Sequence, residues 1–161
     1  MAFSLKMEGM EELYQAMEKL PEKAGKISAE ALYEGAGVAA DAVSKAVHGI
    51  ATEPFKYAKG GEKRRPSSEE KAIIEQARHG IAKFRKTGNE IQTSVGYQHS
   101  GYGSLNGKTK PVPMIANAIE HGTSFMAKQP FFRKAINQSK GAAMAAIENG
   151  IKNRLDELEI N

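Results

Sequence analysis

The sequence predicts an α+β fold in a single domain spanning residues 1–161, with long amphipathic helices packed on a small antiparallel sheet. Three observations carry this. Phe3, Leu5 and Met7 alternate with Ser4 and Lys6, the period of a half-buried strand. Ile91, Thr93 and Val95 alternate with Gln92 and Ser94 in the same way. From Pro130 to about Glu159, Phe132, Ile136, Ala143, Ile147, Ile151, Leu155 and Leu158 return on one helical face. With 161 residues, 40% of them hydrophobic, the chain is long enough for one core. It has no Trp, so that core must rest on Ala, Ile, Leu and Met.

The elements follow in order. After the first strand Gly9 is a break, and Met10, Leu13, Tyr14, Met17 and Leu20 have helical spacing up to Pro21. A longer helix is expected from about Glu22 to His48, with a stripe of Ala24, Ile27, Ala31, Val38, Ala42 and Ala46. Gly35 and Gly37 weaken it by about 1 kcal/mol each relative to Ala, and mark either a close backbone approach or a bend. Residues 49–66 show no period and are read as a basic flexible loop. Ser67 or Ser68 can cap the next helix, Ser67 having capping-box spacing with Glu70, and that helix is expected to carry Ile73, Ile74, Ala77, Ile81 and Phe84. Gly88-Asn89 is a turn signal, and residues 98–110 read as a second polar loop. A short helix is expected from Val112 to His121.

Charge is uneven along the chain. Residues 1–55 carry 5 Lys/Arg against 9 Asp/Glu, residues 56–110 carry 12 against 5, and residues 111–161 carry 6 against 5. The basic middle suggests a polyanion or an acidic partner. Lys56, Lys59, Lys63, Arg64, Arg65, Lys108 and Lys110 are the candidate contacts, with Phe55, Tyr57, Tyr97 and Tyr102 near the same loops. Basic groups among aromatics suit a nucleic-acid backbone, but no base-reading motif accompanies them.

Several chemistries are disfavoured. With no Cys, disulfides and thiolate metal sites are excluded. No apolar run approaches the roughly 20 residues of a membrane helix. The N-terminus lacks a signal-peptide pattern, which fits synthesis in a cytoplasm. Gly103-Ser-Leu-Asn-Gly107-Lys108-Thr109 fails as a phosphate loop, because Tyr102 stands where the first Gly belongs and Pro111 and Pro113 follow. His48, His79, His99 and His121 have no metal-ligand spacing, and no nucleophile motif is present. No cofactor and no enzymatic activity are expected.

The most specific stretch is Glu120-His-Gly-Thr123, followed by Pro130-Phe131-Phe132-Arg133-Lys-Ala135. Gly122 just past one helix and Pro130 just inside the next is the usual asymmetry of helix ends. Phe131 and Phe132 occupy adjacent helical positions. Either both belong to the subunit core or one docks on a neighbour. The order Glu120, Gly122, Thr123, Pro130, Phe131, Arg133, Ala135 resembles the signature of the tail-completion, or head–tail joining, proteins of long-tailed bacteriophages and prophages. The opening Phe3-Ser-Leu-Lys-Met-Glu-Gly9 and the Val95-Gly96 strand end follow the same family order.

That resemblance implies a structural virion protein, a minor tail component of the neck. Such a protein assembles as a ring, typically hexameric, at the head-proximal end of the tail tube. Its partners would be further copies of itself, the tail tube protein and the head connector or stopper protein. It would line part of the DNA channel, with non-specific contact to genomic DNA. The resemblance assigns Glu120, Gly122, Thr123, Pro130, Phe131, Phe132 and Arg133 to the turn and ring contacts. Its location would be the virion head–tail junction, after synthesis in the bacterial host cytoplasm. The alternatives are another neck component, such as a stopper or minor capsid protein, or a basic nucleic-acid-binding protein outside a virion.

Overall fold

The computed structural model describes residues 2–6, 21–53, 62–77, 79–87, 90–97 and 101–159. Their order is β1 (Ala2–Lys6), α1 (Pro21–His48), α2 (Ser68–Gln76), β2 (His79–Ile81), β3 (Arg85–Thr87), β4 (Glu90–Tyr97), β5 (Tyr102–Leu105), β6 (Lys108–Pro111), α3 (Val112–His121) and α4 (Phe131–Glu159). The α+β class follows, with two small antiparallel sheets. The helix expected over Met10–Leu20 and the turn at Gly88-Asn89 lie outside the described residues.

β4 is the centre of the larger sheet. β1 pairs along one edge, from Ala2↔Gly96 to Lys6↔Gln92. The other edge takes β2, with Ile81↔Val95, and then β3, with Arg85↔Gln92. Ala82, Lys83 and Phe84 thus stand opposite only Thr93 and Ser94, which makes the edge a bulged strand. The Ala82 N–H donates to the Ser94 carbonyl at 2.8 Å, and the Thr93 hydroxyl donates to the Ala82 carbonyl at 2.6 Å.

This corrects the expected long helix over Ile73 to Phe84. α2 stops at Gln76, and Ala77 is extended at φ −73°, ψ 132°. Strand pairing outweighs helical spacing here, because Ile81 finds Val95 and Gly80 lies against Gly96. Phe84 falls in the bulge and rests edge-on against Tyr33, with ring centroids 5.6 Å apart.

The expected polar loop at 98–110 is also corrected. It contains the β5–β6 hairpin, in which Leu105 pairs with Lys108 across Asn106-Gly107. Both turn residues have positive φ, 49° and 70°, the backbone that an Asn-Gly pair favours in a two-residue hairpin.

α1 lies between the sheet and α4. Ile91, Thr93, Val95 and Tyr97 are buried along β4, and residues between them are half-buried, so the alternation is real and its apolar side meets α1. A helix covered on two sides cannot keep a narrow stripe. Ile27, Ala29, Ala31, Leu32, Ala36, Ala39, Ala40, Val43 and Val47 are all buried. Ala24, Val38, Ala42 and Ala46 of the expected stripe are only partly so.

The α1–α4 contact is built on small residues. A Cβ on Gly35 would fall 2.5 Å from Ile147 Cγ1 and 2.9 Å from the Ala143 carbonyl oxygen. Gly35 therefore permits close approach, whereas Gly37 has open space around it. Arg154 of α4 clips the two helices at their far end, with Nε 2.9 Å from Glu30 and Nη2 2.7 Å from Glu34. Gly35→Ala should be destabilising. The substitution adds up to about 1 kcal/mol of helix propensity, but overpacking against a backbone carbonyl costs about 1–3 kcal/mol. Urea denaturation checks the sign, and a raised midpoint would show that the helices separate freely.

Candidate functional site

The stretch from Glu120 to Arg133 forms one interlocked turn. α3 buries Val112, Ile115, Ala116, Ile119 and Glu120, so Glu120 enters the interior at the end of an apolar face. Its carboxylate accepts the Phe132 N–H at 2.8 Å and the Arg133 N–H at 3.0 Å. These belong to the first turn of α4, whose N–H groups have no partner within the helix. Glu120 thus caps α4 from another helix and fixes the angle between the two. Glu120→Ala should cost about 2 kcal/mol, the upper range for a lost helix cap. Thermal denaturation checks it, and a loss below the error of the measurement would remove Glu120 from this role.

Gly122 sits at φ 75°, ψ 176°. This is positive φ, as expected, but not the left-handed helical conformation that usually ends a helix. It belongs to a region essentially confined to glycine. The Thr123 hydroxyl then accepts the Met126 N–H at 3.0 Å, and the Thr123 N–H donates to the Met126 carbonyl at 2.9 Å. Gln129 closes the turn. Its backbone N–H donates to the Ile119 carbonyl at 2.7 Å, while its side-chain amide both donates to and accepts from the Ala51 backbone, at 2.7 and 3.0 Å.

Phe131 and Phe132 are both buried, which resolves the two readings of this pair in favour of the subunit core. Their rings meet edge to face at 6.4 Å, and Phe132 lies 6.4 Å from Tyr97. Burial pushes the Tyr97 phenol well above its ordinary pKa. Pro130 and the Arg133 side chain stay exposed. Beside them runs an open groove of about 470 Å³ lined in part by Gly49, Ile50, Gln129, Pro130, Phe131 and Lys134.

Arg64 departs most from its expected role. It is not a surface cation: its side chain is 7% exposed and pairs with Glu70, Nη1 to Oε2 at 2.7 Å and Nη2 to Oε1 at 2.8 Å. Its backbone donates to the Phe125 carbonyl at 2.9 Å and accepts from the Ala127 N–H at 2.8 Å, a short parallel bridge onto the Glu120–Arg133 turn. Its guanidinium also lies 5.6 Å from the Phe125 ring centroid. Glu70 completes the capping box anticipated from its spacing, accepting the Ser67 N–H at 2.8 Å while the Ser67 hydroxyl accepts the Glu70 N–H at 3.1 Å. Burial would raise the Glu70 carboxyl, but the bonds from Arg64 and Ser67 outweigh it and hold the carboxyl below its ordinary value. The same bond to Glu70 raises the Arg64 guanidinium, against its burial.

The other candidate cations are scattered. Lys63 and Arg65 flank Arg64 and are exposed. Lys108 is exposed and Lys110 half-buried on β6, a separate hairpin. Lys56 and Lys59 lie outside the described residues.

A different cationic surface was not singled out from the sequence. Lys83, Arg85 and Lys86 surround Phe84 on the bulged edge, and all four are exposed. The compact run Lys-Phe-Arg-Lys was the available signal.

His121 ends α3 with Nδ1 3.3 Å from the Asn117 carbonyl oxygen. Among the described residues, no three His, Asp or Glu gather into a metal-holding group, and no helix is long and apolar enough to cross a membrane. Comparisons with protein families, with curated proteins and with solved structures return no match to this chain.

Proposed function

We propose that this chain is a structural subunit of a long-tailed phage neck, completing the head-proximal end of the tail and joining it to the head as a closed ring. One observation carries the reading. The residues that resemble the tail-completion signature are tied into one turn, with Glu120 capping the helix that Pro130 precedes. The Glu120 bonds position the start of α4, and the Thr123 and Gln129 bonds tie the connecting loop. Phe125 in the turn, at 54% exposure, and Met114 on α3, at 56%, each offer apolar surface to a neighbouring subunit. Lys63, Arg65, Lys108 and Lys110 are then the cations assigned to the DNA channel or to an acidic neighbour.

Identifying the flanking genes, and co-expressing the chain with any tail-tube and connector proteins they encode for electron microscopy, tests the reading. A closed ring on the tube end, hexameric as the resemblance implies, is the expected image. A chain that stays monomeric and attaches to neither protein would overturn it, as would flanking genes that encode no tail or connector component. His121→Ala should change stability and ring assembly little, because the residue is exposed and its Nδ1 lies beside a backbone carbonyl of its own helix. If that variant abolished infectivity with rings intact, the purely architectural reading would fail.

A further inference from the structure

We infer that the bulged β2–β3 edge and the first turns of α1 form a binding surface for the phosphate backbone of duplex DNA, separate from the loop cations considered above. The tertiary structure assembles it from two distant segments. Lys83, Arg85 and Lys86 are exposed on the edge, and Lys23 and Lys26 are exposed on α1. One ring contact joins the segments, and one proximity sets them side by side. Phe84 packs edge-on against Tyr33 at 5.6 Å, and Lys86 Nζ comes within 4.0 Å of the position a Cβ on Gly25 would take.

The register distributes the charge around the edge. Lys86 pairs with Ile91, whose buried side faces α1, so its ammonium is delivered to the helix. Arg85 pairs with Gln92, on the opposite side of the sheet. The edge thus presents cations on both sides of one strand.

The described carboxylate nearest on α1, Glu30, is engaged by Arg154 at 2.9 Å, with Lys26 further away at 3.9 Å. Glu90 starts β4 opposite Thr87, beyond Lys86. Among the described residues, no ion pair engages Lys83, Arg85 or Lys86.

A polyphosphate suits this surface better than an acidic patch of protein. The cations follow a strand edge and a helix start rather than converging on one point, as a line of phosphates requires. Flexible Lys and Arg side chains on an edge neutralise phosphates without reading bases. A row of charged residues also blunts an edge strand against aggregation, and that role needs no ligand. The two accounts differ in whether the isolated protein binds DNA through this edge.

The inference rests on the neck reading only in naming DNA as the polyanion met. The test uses the purified full chain and a fluorescent DNA duplex, with affinity measured across a salt series. The neutral variant Lys83→Gln/Arg85→Gln/Lys86→Gln should flatten the slope of log affinity against log salt by up to about 2.7, from roughly 0.9 for each phosphate no longer neutralised. Between 50 and 200 mM salt, a slope change of that size is about a 40-fold change in relative affinity. Circular dichroism melting confirms that the variant is folded. If it is not, Lys83→Gln/Arg85→Gln, which spares the residue lying against α1, should still flatten the slope by up to about 1.8.

An unchanged slope in a folded variant overturns the proposal. So does transfer of the whole effect to a Lys63→Gln/Arg65→Gln/Lys108→Gln/Lys110→Gln variant. A wild-type chain that binds no duplex, while the edge variant fails to attach to tails, would assign the surface to an acidic protein and equally overturn it. Rings that form without DNA affinity would sink this inference alone. DNA affinity in a chain that never forms a ring would sink the neck reading and leave this one standing.

Discussion

Gly122→Val should leave little folded protein. The φ of 75° with ψ of 176° costs a side chain about 1–3 kcal/mol in backbone strain alone. Packing adds to that. A Cβ there would sit 2.9 Å from both the Lys128 nitrogen and the Met126 carbonyl oxygen, which are backbone atoms and cannot swing aside. Moving them breaks the Thr123–Met126 pairing and displaces the path that leads to Gln129 and the Glu120 cap. The combined cost of about 4–5 kcal/mol or more is a large part of the 5–15 kcal/mol that holds an ordinary domain together. Far-UV circular dichroism with urea denaturation measures it, with Gly122→Ala as the milder companion. A wild-type midpoint for the valine variant would mean that the turn relaxes easily and does not set the angle of α4.

The second large effect is expected at Arg64. Arg64→Ala leaves the Glu70 carboxylate buried and stripped of both its bidentate bonds, a change that typically costs about 3–5 kcal/mol. Removing both partners with apolar residues, as in Arg64→Met/Glu70→Leu, should cost much less, because no lone buried charge remains. Stability should also respond to acid in a defined direction. The folded Glu70 carboxyl is held below its ordinary value of 4.5. Its contribution is therefore fully present above pH 4.5 and is lost as pH falls through the lowered folded value. In Glu70→Gln this part of the acid dependence should disappear. Denaturation midpoints collected from neutral to acid pH check it. Identical acid limbs in wild type and Glu70→Gln would show that the pair contributes nothing to acid sensitivity.

If Arg64 is a buried clamp rather than a DNA contact, the two roles separate by experiment. On the proposed DNA reading, losing a surface cation should weaken DNA binding and leave melting unchanged. Losing Arg64 should lower the melting temperature first, because its backbone and side chain together hold residues 62–67 against the Phe125–Ala127 segment.

The features legible from residue order are the local ones. Ser67 and Glu70 are three residues apart, and the capping box they form needs nothing from the rest of the chain. The α3 boundaries at Val112 and His121, and α4 from Phe131 onward, follow from apolar period, Pro130 and Gly122, all read within one or two helical turns. β4 was legible because Ile91, Thr93 and Val95 alternate over a single strand. The Asn106-Gly107 turn is equally local, but Gly-rich polar surroundings hide its short strands. Long-range packing set the remaining features. Ile81 has helical spacing from Ala77, yet it pairs with Val95, because a strand edge fourteen residues further along offers hydrogen bonds that spacing cannot reveal. Phe131 and Phe132 are both inside because Tyr97 and the edge-to-face contact between them receive the rings. Lys63, Arg64 and Arg65 are three like charges in a row, and no local rule says that the middle one is buried while its neighbours face solvent. That choice belongs to Glu70 and to the parallel bridge at Met126, sixty-two residues away, since a guanidinium leaves water only where a partner is already waiting.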